Sequence, residues 1–123
     1  MREVSKSTAD FIIVGGDLNS VPESVEYSEL TKDAGLTNAM VEVYPASWTE
    51  AQFATYNHPD NTYSSPTAPT EILDYIFHGG SGDGTTTATA CRLPFLTAEA
   101  DGGISVSDHQ ALACHLQLVT GDP

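Results

Sequence analysis

A run of four apolar residues, Phe11, Ile12, Ile13 and Val14, leads into Gly15-Gly16 and then Asp17-Leu18-Asn19, and no other stretch constrains the chain as much. Consecutive β-favouring residues of this kind suit a strand covered on both faces. The two glycines let the backbone turn tightly or admit a close neighbour, so Asp17 and Asn19 arrive at the strand's end, where chemistry usually sits. Residues two apart on an extended segment point the same way. Asp17 offers a charged acceptor and Asn19 a neutral donor, a pair able to hold a metal-bound or hydrogen-bonded anion from one side. The same pair can equally be an Asx turn closing a strand.

Charge narrows the function classes. Seventeen acidic residues against four basic ones give a net charge of -13, which repels phosphate backbones and argues against a general nucleic-acid binder. A phosphoester substrate stays open if a metal supplies the positive charge. The 123 residues, 40% of them hydrophobic, suffice for one core. Cys91 and Cys114 match no zinc spacing and are too few for a disulfide framework, so reduced thiols are expected. No apolar run reaches membrane-spanning length, and residues 1–10 form a polar leader without the apolar centre of a signal peptide. The chain as it stands is expected to be soluble.

Downstream of the anchor, Ser20 with Glu23 predicts a capped helix, with Pro22 in its first turn and Gly35 as its stop. Tyr27, Leu30 and Ala34 share its apolar face, whereas Glu23, Glu26, Glu29 and Lys32 suit solvent. Residues 37–70 show little periodicity beyond a short strand near 39–44. Their aromatics, Trp48, Phe53, Tyr56 and Tyr63, point either to an ordered loop region walling a binding site or to local packing. His58 reads as a solvated loop residue.

Residues 72–77 return to strand character, with Asp74 among residues that want burial, so its carboxylate needs a partner. His78 follows as an exposed strand-end residue. The glycine-rich run 79–84 predicts a hairpin turn into a strand near 85–93, since no Gly-Lys-Ser/Thr follows to make a phosphate cradle. Residues 94–106 read as loop. Ser107-Asp108-His109 then precedes an alternating strand whose inward face is Leu112, Cys114, Leu116 and Leu118, with His115 and Gln117 outward. Asp108 and His109 therefore sit at a strand edge, as Asp17 and Asn19 do.

Gly16-Asp17-Leu18-Asn19, Leu73-Asp74-Tyr75-Ile76 and Ser107-Asp108-His109-Gln110-Ala111-Leu112, in that order, resemble the C-terminal half of the metal-dependent endonuclease/exonuclease/phosphatase superfamily. Within it, Ala111-Leu112 after Ser-Asp-His, the run 34–39 and Asn61-Thr62-Tyr63 are similar to the neutral sphingomyelinases. The resemblance implies an α/β (α+β) DNase I-like four-layer fold: a two-sheet β-sandwich flanked by helices, of which residues 11–119 form the C-terminal half and 120–123 a tail. Complete domains of that kind run to about 250 residues, so the chain is expected to be a fragment whose missing N-terminal half carries the principal metal-binding Glu.

The resemblance also assigns roles. Asp108 would serve the magnesium site, His109 would act on the attacking water or the phosphoryl group, and Asp74 would orient and charge His109. Asp17 would position the nucleophile, and Asn19 would donate to a phosphoryl oxygen. One departure is visible, since Ile72 stands where the family commonly has Arg. The implied reaction is cleavage of sphingomyelin to ceramide and phosphocholine by an intracellular, membrane-associated parent. The alternatives are another nuclease or phosphatase of the superfamily, or an inactive fragment.

Overall fold

The computed structural model describes residues 10–80, 84–94, 105 and 107–120. Most of the polar leader, of loop 94–106 and of the tail thus lies outside the described residues. Among the described residues, five strands form two antiparallel sheets. β1 (Phe11–Asp17), β3 (Asp74–Gly80) and β2 (Thr37–Asn38) make a three-stranded sheet in the order β1-β3-β2, and β4 (Thr85–Arg92) pairs with β5 (Ala113–Val119) in a second. The architecture is mixed α/β, two antiparallel sheets with short helices between their strands.

β3 is the central strand because its residues are wanted on both faces. Tyr75 and Phe77 join Leu30, Leu36 and Ile72 in one cluster, against which Ile12, Val14, Tyr27 and Ala34 pack. Ile76, on the opposite face, packs between the sheets with Ala39, Met40, Ala88, Cys91, Leu112 and Leu116. Trp48 touches both clusters, and its ring stacks on Tyr27. Among the described residues β1 is an edge strand, paired with β3 alone. Ile12 and Val14 face the core, whereas Ile13, on the opposite face, is 55% exposed, which corrects the expectation of a strand covered on both faces. The strand also continues through both glycines, Gly16 taking a φ of 143° that a side chain would rarely tolerate.

The first helix starts later than its sequence signals suggest. Glu23 has a φ of 72°, incompatible with a helix begun at Ser20. Ser24 is the cap instead, accepting the Tyr27 N–H at 3.2 Å, and α1 (Val25–Ser28) widens into a π-helical turn over Glu29–Asp33. Gly35, at φ 69°, follows its end as expected, and Leu30 is fully buried. Residues near 39–44 are helix rather than strand. The Asn38 Oδ1 accepts the Met40 N–H at 3.0 Å and so opens α2 (Ala39–Val43). A third short helix, α3, covers Glu50–Phe53.

β3 and β4 are not a hairpin pair. Both edges of β3 are occupied near Phe77 and His78, so the chain crosses to the second sheet. His78 is not exposed there but 1% accessible, with Nε2 2.6 Å from Glu42 Oε1 and Nδ1 2.6 Å from Thr86 Oγ1. His58 is also buried, its Nδ1 accepting the Asp60 N–H. Cys91 and Cys114 stand directly opposite in the β4–β5 ladder and form a disulfide, against the expectation of free thiols. Leu118, expected inward, is 44% exposed, whereas His115 and Gln117 face solvent as expected. Among the described residues, no helix is long and apolar enough to cross a membrane.

Candidate active site

Register creates the site. The β1–β3 ladder ends with Asp17 directly opposite Asp74, a cross-strand pair of like charges that is unfavourable unless something cationic joins it. His109 does so. Its Nδ1 lies 2.7 Å from Asp74 Oδ2, and its Nε2 lies 4.0 Å from Asp17 Oδ2. One imidazole thus stands between two carboxylates, and the expected partner of the Asp74 carboxylate is found. The Asp74 side chain is 20% exposed, His109 27% and Asp17 46%, so the group opens to solvent on the Asp17 side.

Local turns hold each member. Asp17 Oδ1 accepts the Asn19 N–H at 2.7 Å, so the Asx turn does form, and it leaves Oδ2 toward His109. Asn19 sits at φ 50°, a conformation asparagine adopts more readily than most residues. The Leu18 N–H reaches the Leu73 carbonyl at 2.9 Å, and the Tyr75 hydroxyl lies 2.7 Å from the Ser20 carbonyl, fixing the chain beyond the turn. Burial first, then the neighbouring Tyr27, Asp74, Glu50 and Glu71, push the Tyr75 phenol well above its ordinary range, so it stays a neutral donor. On the other side Ser107 Oγ accepts the His109 N–H at 3.1 Å, and the Tyr56 ring lies 5.3 Å from the imidazole.

Burial alone would lower the His109 pKa. The Asp74 hydrogen bond and the charges of Asp74, Asp17 and Asp108 outweigh it, so the net shift is above the usual histidine value. The imidazole therefore holds a proton more readily than in water, as a group between carboxylates should.

Ligand atoms of Asp17, Asp74 and His109 all lie within 4.8 Å of one another, so the three can hold a metal ion. Two carboxylates and an imidazole fit a divalent cation that completes its shell with water from the open side. Asp108 is exposed and is not one of these three. Ile72, which stands where the resemblance implies Arg, is 2% exposed within the core and brings no charge to the site.

The long segment 37–70 satisfies both of its readings. Trp48 and Phe53 pack internally, Tyr63 is 57% exposed, and Tyr56 reaches the site. Sequence reasoning passed over Thr55, which is 2% exposed and bonded to the backbone on both sides of the site. A threonine before a tyrosine in an aperiodic segment carries no local signal of such a role.

Residues 2–109 match the family described as the endonuclease/exonuclease/phosphatase family. No curated protein matches the chain.

Proposed function

We propose that this chain, which belongs to the endonuclease/exonuclease/phosphatase family, carries the histidine-centred part of the active site of a magnesium-dependent phosphodiesterase acting on sphingomyelin. The family is generally hydrolytic. The observation that supports the reading is the placement of His109 between Asp74 at 2.7 Å and Asp17 at 4.0 Å, on a face open to solvent. The choice of sphingomyelin rests on the Ala111-Leu112, 34–39 and 61–63 resemblances, with the -13 charge weighing against DNA.

In this reading Nδ1–H of His109 donates to Asp74, which fixes the tautomer and stabilises the imidazolium. Nε2 then takes a proton from the attacking water, whose Asp17-facing position orients it. The water oxygen bonds to phosphorus, the bond from phosphorus to the ceramide oxygen breaks, and the proton taken by His109 passes, directly or through solvent, to that oxygen, leaving ceramide, phosphocholine and a neutral imidazole. The Asn19 side-chain amide donates to a phosphoryl oxygen as charge develops. Asp17 and Asp74, with Asp108 as a further ligand, would hold magnesium, and the ion would supply Lewis-acid polarisation of the phosphoryl group. The partners in the proposal are a sphingomyelin-bearing membrane surface and an N-terminal half of the same domain.

The test is release of phosphocholine from sphingomyelin in mixed micelles with magnesium by the full-length protein, alongside nicking of plasmid DNA. Phosphocholine without nicking is the expected result. Cleaved DNA with intact sphingomyelin overturns the substrate reading and leaves the hydrolase reading standing.

A further inference from the structure

We infer that Thr55 is a positioning residue that sets the hydrogen bond between Asp74 and His109. The inference rests on the reading of that pair as the working centre. Asp74 and His109 are 35 positions apart and come from different parts of the fold, Asp74 opening β3 and His109 preceding β5. Something must hold the two backbones at a spacing that allows a 2.7 Å contact. Residues 55–56 lie between them.

On one side the Thr55 Oγ1 accepts the N–H groups of both Leu73 and Asp74, at 2.9 and 3.0 Å, while the N–H groups of Thr55 and Tyr56 both reach the Glu71 carbonyl at 3.0 Å. On the other side the Thr55 carbonyl accepts the Gln110 N–H at 2.6 Å, and Tyr56 forms an isolated antiparallel bridge to His109. One residue therefore binds the chain at Asp74 through its side chain and the chain beside His109 through its backbone. Neither contact depends on solvent, since Thr55 is 2% exposed. The second support lies further out: buried Asn61 donates to the Ser107 carbonyl at 2.8 Å and to Gln110 Oε1 at 3.1 Å, which steadies the same loop without touching β3. Among the described residues in these contacts, Tyr56 also links the two segments, but it is Thr55 that bonds the Asp74 N–H itself.

The hydroxyl is the part that matters, because it replaces two sheet hydrogen bonds at the start of β3, a backbone accounting no apolar side chain can meet. Thr55→Val keeps the shape and loses the acceptor, Thr55→Ser keeps the acceptor, and Thr55→Cys supplies a weaker and longer one. The readout is the imidazole Nδ1–H proton of His109 in histidine-labelled, full-length protein without metal, since a short bond to a carboxylate shifts that proton strongly downfield. A purely structural threonine would change melting temperature and leave this resonance where it is.

In folded Thr55→Val the downfield resonance should be lost or moved sharply upfield, in Thr55→Ser it should stay, and in Thr55→Cys it should fall between the two. A folded Thr55→Val or Thr55→Cys with the resonance unmoved, or a folded Thr55→Ser without it, overturns the inference. Should Thr55→Val not fold, the Cys and Ser variants decide alone. The readout needs no substrate, so failure of the phosphodiesterase reading would appear separately, as absent turnover in wild type with the Thr55 series behaving as stated.

Discussion

Two carboxylate–imidazole pairs occur in this molecule at almost the same distance, 2.7 Å for Asp74–His109 and 2.6 Å for Glu42–His78. They differ in what the second ring nitrogen meets. In His78 it meets Thr86 Oγ1 at 2.6 Å, with the imidazole side chain 2% exposed between the sheets, so each nitrogen is already committed. In His109 it faces Asp17 across 4.0 Å at an open surface, room enough for a water or a phosphoryl oxygen. The same pair is thus closed off in one place and part of a candidate site in the other. The short carboxylate contact is common to both histidines; what the second ring nitrogen meets is the difference between them.

The sharpest way to break the comparison is to delete each ring. His109→Ala in the full-length protein should lower kcat by roughly 10²- to 10⁴-fold, the usual worth of a positioned acid–base group, with the fold intact by circular dichroism. His78→Ala should leave kcat per folded molecule nearly unchanged. Equal loss of turnover in both variants would erase the distinction.

Next in size is the neighbourhood of the closed pair. The disulfide joins Cys91, on the strand that also carries Thr86, to Cys114 and closes a loop with a sequence separation of 23. Replacing both cysteines by serine should cost about 2–4 kcal/mol of stability, read from denaturant midpoints, without moving the His109 resonances. His78→Ala should cost about 1–3 kcal/mol, because Thr86 Oγ1 and Glu42 Oε1 each lose the imidazole as a partner, leaving Glu42 Oε1 with the Ala88 N–H.

The smallest effect is that of pH. In metal-free protein His109 should titrate above the ordinary histidine value of 6.5 by imidazole NMR, and Asp74→Asn should bring it down. Because the folded pKa is raised, the stabilisation it gives is fully present below the unfolded value and is lost as pH rises through the folded one. An unshifted titration would mean that the carboxylates do not act on the ring.

Sequence carried the open site better than the closed pair, for a physical reason. Asp17, Asp74 and His109 each stand where alternation or a glycine break ends or begins a strand, so their placement follows from local pattern. Asp74 even announced a missing partner by sitting among apolar neighbours. Glu42 lies in α2, a helix concealed by Val41, Val43 and Tyr44, which favour strands, and revealed only by the Asn38 cap. With Glu42 misplaced, His78 had no visible partner and read as exposed. Cys91 and Cys114 needed the β4–β5 register, which two separate strands do not disclose, and Thr55 acts through main-chain bonds to residues far along the chain. Ile72 was visible as a departure, but only its 2% exposure shows that an arginine there would have to bury its charge in the core.

The central claim, that His109 and not His78 is the histidine with a working nitrogen, is tested most directly by adding substoichiometric Mn²⁺ to the full-length, ¹⁵N-histidine-labelled protein. The imidazole signals of His109 should broaden beyond detection while those of His78 persist. Broadening of His78 first, or of both rings alike, would contradict the account.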